Sequence, residues 1–223
     1  MLLPPQTRDL RPLADLALVE PAATRAAVEK LCRTAIEHGV HGVCVNGSHV
    51  PQAYALVSDH NVKVIATVGY PLGAMDSDAK RYETEIAVDS DAHEIEVVLN
   101  IGRLKEGDRA YVLRELRDIC EAADERPVHV VIEADLLTPE EQKMACDLIV
   151  DSGAHALSTH TGFFGKPNAQ LVRRLREHLG TRFFLKANPV ADLNSAVEII
   201  ESGANRVGLI AGRAMSLTEL MNR

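Results

Sequence analysis

Short runs rich in β-branched residues alternate along this chain with stretches in which apolar residues recur at three- and four-residue spacing. Eight of these runs are predicted to be strands: residues 13–18, 42–46, 62–68, 94–100, 128–133, 154–159, 182–187 and 206–210. Helices are predicted between and after them, over residues 22–38, 50–58, 76–90, 107–125, 139–152, 167–179, 192–202 and 213–221. Eight strand–helix units, with no linker or change of composition between them, predict a single α/β domain over residues 1–223, a closed (β/α)8 TIM barrel.

Local signals at the helix ends agree with this prediction. Thr138 and Pro139 are typical of a helix N-terminus, and Gly39, Gly153 and Gly203 each follow a predicted helix where a left-handed cap is needed. The alternative is an open doubly wound sheet, which would have a glycine-rich loop after its first strand. Residues 19–23 contain no glycine, which favours the closed barrel.

Composition excludes several classes of partner. The chain has 24 Lys and Arg against 32 Asp and Glu, a net charge of −8, and no basic stripe that would bind a nucleic-acid backbone. Its apolar runs are far shorter than the ~20 residues that span a bilayer, and its first residues lack the basic segment of a signal peptide. We therefore expect a cytoplasmic protein that binds neither nucleic acid nor membrane. The cysteines lack CxxC spacing and are predicted to be reduced thiols: Cys32, Cys44, Cys120 and Cys146.

In a barrel of this type the active site lies at the carboxyl ends of the strands. Side chains alternate along a strand, so polar residues of one parity in an apolar strand are predicted to face the barrel interior. These residues are Asp15, Cys44, Asn46, Glu96, Asn100, His129, Glu133, Ser158 and Lys186. Burying so many polar groups is unfavourable unless they pair with one another or bind a ligand.

These residues lie in or beside segments that resemble the 2-deoxyribose-5-phosphate aldolase family of class I aldolases. The segments cover residues 13–18, 43–46, 68–74, 94–102, 132–133, 136–138, 161–163 and 185–187. The resemblance extends over nearly the whole chain. It implies the (β/α)8 barrel and chemistry at a carbonyl group, performed in the family through an imine on a lysine of the sixth strand.

The chain departs from the family at the catalytic positions. The family motif Val-Lys-Thr-Ser-Thr-Gly is replaced by residues 157–162, so Ser158 stands where the imine-forming lysine is expected and His160 stands at the serine. Lys186 keeps the place of the second family lysine. Glu96 replaces the catalytic Asp of the fourth strand, and His129 replaces a lysine of the fifth strand.

The anion site of the family changes as well. Family members bind the sugar phosphate through a Ser-Gly-Gly turn after the seventh strand and a Gly-Thr-Ser segment after the eighth. Here these positions are residues 188–190 and 208–210, where a proline removes an amide donor and two apolar residues replace hydroxyls. A long sugar phosphate is therefore not expected as the substrate.

Three hypotheses fit Lys186. It forms the imine itself, it binds a carbonyl or carboxylate oxygen of a ligand through its positive charge, or it is an ion-paired remnant without function. Glu96 and His129 lie on adjacent strands and suit a proton-transferring pair, although His129 also fits a structural role in the core. A metal bound by Glu96, His129, Glu133 and His160 has no supporting ligand spacing, and neither a metal nor a cofactor is expected.

We therefore predict an aldolase-like lyase that acts on a small carbonyl substrate, with Lys186, Glu96 and His129 as catalytic groups. The predicted substrate-binding residues are Asp15, Cys44, Asn46, Asn100, Glu133, Ser158, His160 and Gly162. The alternatives are an imine-free isomerase or cyclase, and an inactive barrel that binds a metabolite or serves as a scaffold. A small-molecule partner is expected, and a homodimer is allowed for.

Overall fold

A computed structural model describes residues 9–210 and places eight strands in them. The strands are β1 (Ala14–Leu18), β2 (Gly42–Asn46), β3 (Lys63–Val68), β4 (Glu94–Val98), β5 (Val128–Val131), β6 (Ala156–Ser158), β7 (Phe184–Ala187) and β8 (Arg206–Ile210). The helices are α1 (Arg25–His38), α2 (Val50–Val57), α3 (Ser77–Asp89), α4 (Ile101–Lys105), α5 (Arg109–Ala122), α6 (Pro139–Ser152), α7 (Ala169–Leu179) and α8 (Leu193–Glu201).

The eight strands are parallel and close into a barrel in sequence order, with β8 paired to β1. This confirms the (β/α)8 prediction and excludes the open sheet. Each predicted strand overlaps an observed one, and the ends differ by at most two residues. The predicted helix at residues 213–221 lies outside the described residues.

Two predicted strands were wrong at their carboxyl ends, where the site lies. Asn100 is not in β4, because its side chain accepts a hydrogen bond from Arg103 N at 3.2 Å and caps the unpredicted helix α4. Glu133 is not in β5, because its backbone turns to φ +45°. In both cases the strand pattern continues into residues that start a loop.

The helix-end signals correspond to observed caps. Thr138 forms a capping box with Glu141 at the start of α6. Gly39 and Gly153 adopt left-handed conformations at the ends of α1 and α6. These caps fix the lengths of the helices that cover the barrel.

The main hydrophobic core lies between the barrel and its helices, where Val28, Val64, Leu116 and Ile149 are examples of fully buried residues. The inside of the barrel is different, because many of its buried residues are polar or charged. Within residues 9–210, no helix is both long and apolar enough to cross a membrane.

Candidate active site

Lys186 lies at the centre of the barrel, between two carboxylates. Its Nζ is 2.9 Å from Asp15 Oδ2 and 2.6 Å from Glu96 Oε2. All three side chains are 2% exposed or less. Strands β1, β4 and β7 supply one residue each, so only the closed barrel brings them together.

The carboxylates decide the charge of this lysine. Burial by itself lowers the pKa of Lys186, but Asp15 and Glu96 outweigh burial and hold the pKa above its ordinary value. The side chain is therefore an ammonium ion without a free electron pair. An ammonium ion has three N–H donors, and within residues 9–210 Lys186 donates one hydrogen bond to Glu96 and forms an ion pair with Asp15.

Glu96 is held on its other oxygen as well. Tyr70 donates its hydroxyl hydrogen to Glu96 Oε1 at 3.0 Å, and Asn188 Nδ2 donates to the same oxygen at 3.2 Å. Burial raises the pKa of Glu96, but the attraction of Lys186 and these hydrogen bonds lower it below its ordinary value. Glu96 is thus a carboxylate with both oxygens occupied by protein groups.

Ser158, the residue predicted to replace the family's imine-forming lysine, lies at the end of β6. Its hydroxyl donates to Asn188 Oδ1 at 2.6 Å and lies 3.1 Å from Glu96 Oε1. Asn188 Nδ2 also donates to the carbonyl of His160 at 2.7 Å. Ser158 and Asn188 together satisfy the polar groups around Glu96 at the place where a long amine would otherwise lie.

His129 lies nearer the amino end of the barrel. Its Cα is opposite that of Glu96, as expected from adjacent strands, but its ring Nε2 lies 3.1 Å from Glu94 Oε2. Arg206 donates to the same Glu94 oxygen at 2.6 Å, and its guanidinium is also 3.6 Å from Asp15 Oδ2. The ionic contacts therefore continue from the site through the barrel towards its amino end.

Glu133 has an unused oxygen at the carboxyl end of the barrel. Its Oε1 accepts a hydrogen bond from Thr161 N at 2.7 Å, whereas its Oε2 is buried and has no hydrogen-bond partner among the described residues. Burial raises the pKa of Glu133 above its ordinary value. This oxygen can bind a polar group of a ligand.

The remaining predicted residues are placed as follows. Cys44 is buried beside the ionic cluster, and burial together with Glu96 raises its pKa. Asn46 accepts a hydrogen bond from Thr67 Oγ1 at 3.3 Å. Asn100 caps α4 and lines a separate surface cavity of about 350 Å³ with Arg103. It is therefore directed away from the ionic cluster.

Gly162 lines a cavity of about 320 Å³ that follows the carboxyl ends of β6, β7 and β8. The other lining residues are Gly165, Lys166, Pro189, Val190, Ala191 and Ile210. Pro189 has no amide hydrogen, and Val190 N donates to Gly208 O at 2.8 Å. Neither amide is therefore available to an anion.

The sequence reasoning missed Tyr70, Asn188, Glu94 and Arg206. Asn188 lies two residues beyond Lys186 and Glu94 two residues before Glu96, so the alternation rule could have found both. Tyr70 lies in the loop after β3, where alternation makes no prediction. Among residues 9–210, no group of three or more His, Cys, Asp or Glu side chains could hold a metal ion.

Comparison with known proteins identifies relatives whose chains are similar in length to this one. No family model matches the chain. Over 200 residues it is 39% identical to a deoxyribose-phosphate aldolase of Alkaliphilus oremlandii, covering 88% of this chain and 90% of that protein. Its fold matches the structure of an aldolase called QR15 with a TM-score of 0.87 and 30% identity, covering 90% of this chain and 91% of that one. It also matches the tetrameric deoxyribose phosphate aldolase of Aeropyrum pernix with a TM-score of 0.84 and 25% identity, covering 92% and 87% of the two chains.

Proposed function

Because this chain belongs to the deoxyribose-phosphate aldolase family and is an aldolase-like carbon–carbon lyase, we propose that it makes or breaks its bond without forming an imine. The observation that carries this proposal is the pairing of Lys186 with two buried carboxylates, at 2.9 and 2.6 Å. An imine needs a neutral amine, and this environment favours the ammonium ion. Ser158, at the family's nucleophile position, has no amine at all.

In this proposal Lys186 acts as a fixed positive charge. Its remaining N–H faces the carbonyl oxygen of the substrate and stabilises the negative charge that develops there when a proton or a carbon–carbon bond is lost. Glu96 keeps Lys186 charged and in place. His129 contributes through Glu94 to the balance of charge inside the barrel.

The pocket residues bind the rest of the substrate. Glu133, whose buried Oε2 has no hydrogen-bond partner among the described residues, binds a polar group of the substrate through that oxygen. Cys44, Asn46 and Ser158 shape the walls nearest Lys186. The substrate is a small carbonyl compound that fits beside these groups.

We further propose that the substrate does not depend on a phosphate group. The cavity lined by Gly162, Pro189 and Ile210 is the counterpart of the family's anion site, and its two amides at 189 and 190 are absent or already bonded. Inorganic phosphate is the probe: it should neither stabilise the protein nor compete with substrate at millimolar concentration. The proposal would be contradicted if phosphate stabilised the native protein and no longer stabilised Lys166→Met.

Borohydride reduction with a panel of small aldehydes, followed by peptide mass analysis, tests the mechanism. We expect no adduct on Lys186 while turnover of a hydroxy-carbonyl substrate is retained. The positive control is Ser158→Lys combined with Asn188→Ser, which restores a family-like arrangement and should give an adduct at position 158. An adduct on Lys186 in the unaltered protein would overturn the imine-free mechanism.

The same panel separates this lyase from its alternatives. Cleavage or joining of carbon chains supports the proposal, and Glu96→Gln should lower that rate ~100-fold, the scale of a group that sets proton or charge positions in a site. Ring closure or isomerisation without chain cleavage would point to an imine-free cyclase or isomerase. Stabilisation by a ligand without any turnover would point to a binding protein.

We also propose a homodimer. The loop before α3 and α3 itself expose large apolar side chains, at Leu72, Met75, Tyr82 and Ile86. Light scattering with size-exclusion chromatography gives the mass directly. Ile86→Lys should shift the mass towards a monomer if this surface is the interface.

A further inference from the structure

His160 is a buried histidine without a hydrogen-bond partner among residues 9–210. Its side chain is fully buried, and neither ring nitrogen makes a hydrogen bond within the described part of the chain. Buried polar groups are nearly always satisfied, so an unsatisfied imidazole at a barrel mouth indicates a missing ligand or water. It lies in the segment after β6, two residues after Ser158 and two before Gly162, which lines the cavity at the carboxyl ends of β6, β7 and β8.

Asp135 lies beside this ring. Its Oδ2 is 3.6 Å from His160 Nε2, and its side chain is half exposed. A Cβ at Gly165 would come within 2.3 Å of Asp135 Oδ2 and 2.9 Å of His160 Cδ2. A side chain at position 165 would therefore displace the pair, which gives a physical reason for the glycine.

The charge state of His160 suits proton acceptance. Burial lowers its pKa below the ordinary value, and Asp135 offsets only part of this effect. A lowered pKa favours the neutral ring, which is the form that accepts a proton. In the tautomer that carries its hydrogen on Nε2, the nitrogen 3.6 Å from Asp135, Nδ1 keeps a free electron pair.

We propose that His160 is the proton-transferring base of this site and that Asp135 is the positioning residue that orients it. The inference rests on the imine-free function proposed above and supplies the base which that function needs. The chain has a serine at position 158, where the resemblance implies the imine-forming lysine, and a histidine two residues later in the same segment. Glu96, whose oxygens are both occupied, is not required to accept the proton.

The step balances without a further reactant. Nδ1 of His160 takes a proton from the carbon next to the carbonyl, and the C–H electron pair forms a new carbon–carbon double bond. The carbonyl π pair moves to oxygen, where the ammonium of Lys186 stabilises it. The enolate carbon then attacks a second carbonyl, and the imidazolium returns its proton to the new alkoxide.

The test is hydrogen exchange of acetaldehyde and acetone in D2O, followed by ¹H NMR, because both probes carry hydrogens next to a carbonyl. We expect the unaltered protein to exchange them and His160→Gln to lower the rate ~100-fold. Asp135→Asn should shift the rising limb of the pH profile to lower pH, because it removes the group that raises the pKa of His160. A purely structural role would not move that limb.

A second histidine–aspartate pair provides the matched control. His178 Nε2 lies 2.8 Å from Asp147 Oδ1 on the outer helices α7 and α6. His178→Gln and Asp147→Asn should leave both rate and pH profile unchanged.

The outcomes separate the two proposals. If the unaltered protein exchanges the probes and both His160→Gln and Asp135→Asn match the controls, His160 is not the base and the lyase proposal stands. If the unaltered protein does not exchange either probe, the proposed function fails and the base role fails with it. Loss of exchange in folded His160→Gln together with the shifted limb in Asp135→Asn supports the inference.

Discussion

Changing Glu96 to Gln tests how much the buried contact between Glu96 and Lys186 contributes to the free energy of unfolding. The substitution keeps the size of the side chain but turns an acceptor facing Lys186 at 2.6 Å into a neutral amide. Removing one partner of a buried ion pair costs about 3–5 kcal/mol, because the other charge remains buried. Asp15 still holds Lys186 at 2.9 Å, so we expect the lower end of that range, about 3 kcal/mol.

The assay is urea unfolding followed by circular dichroism, with thermal unfolding beside it. For a chain of this length about 3 kcal/mol corresponds to a fall in Tm of roughly 6–12 °C. The control is Glu85→Gln, whose partner Arg81 lies 3.0 Å away at the surface and whose loss should cost less than about 1 kcal/mol. A cost for Glu96→Gln no larger than that of the control would refute the reasoning.

The pH dependence gives an independent check. The pKa of Glu96 is lower in the folded protein than its ordinary value of 4.5. The ionised side chain of Glu96 therefore stabilises the fold fully above pH 4.5, the ordinary pKa. This stabilisation is lost as the pH falls through the lower pKa that Glu96 has in the folded protein. The difference in stability between the native protein and Glu96→Gln should be constant near neutral pH and shrink only in acid.

Further predictions address other parts of the molecule. Lys186→Met leaves two buried carboxylates facing each other and should lower the free energy of unfolding in urea by about 3–5 kcal/mol. The double variant with Glu96→Gln should lose less than the sum of the two single losses. Thr138→Ala removes the capping box of α6 and should cost about 1 kcal/mol, whereas Thr138→Ser should cost little. Burial raises the pKa of Cys146 to about 12, so iodoacetamide in mildly alkaline buffer should label it only after unfolding. Gly162 has φ +92° and a Cβ there would lie 2.7 Å from Ile210 Cδ1, so Gly162→Ala should lower stability by about 1–3 kcal/mol.

The closed barrel could be predicted because the pattern that specifies it is local and is repeated along the chain. Strand-like and helix-like segments alternate eight times, with capping residues at helix ends, and few architectures fit such an order. The same alternation rule gave Asp15, Glu96 and Lys186 as interior residues, since the direction of a side chain in a strand depends only on its position. It failed at Asn100, whose side chain caps α4, and the predicted strand extends too far at Glu133, where the backbone turns to φ +45°.

The partners of the site residues could not be predicted in the same way. Glu96 and His129 are opposite in the sheet, yet the ring nitrogen of His129 lies against Glu94. Glu96 bonds instead to Lys186 of β7, to Tyr70 in the loop after β3 and to Asn188 in the loop after β7. Such contacts depend on the stagger of the strands and on the loops between them, and Asn188 is 92 residues from Glu96 in the chain.

The sequence by itself determined the barrel and the family, and it predicts the loss of the imine-forming lysine, because each of these depends on residue types at fixed spacing. Only the tertiary structure decided what remains in place of that lysine. Closing the barrel brings two carboxylates onto Lys186 and keeps it charged, and within the described residues it leaves His160 and one oxygen of Glu133 buried without a hydrogen-bond partner. The neighbours of a side chain set its charge state and decide whether its hydrogen-bonding groups are satisfied. In a closed barrel those neighbours come from strands that are far apart in the chain, so the sequence alone does not show them.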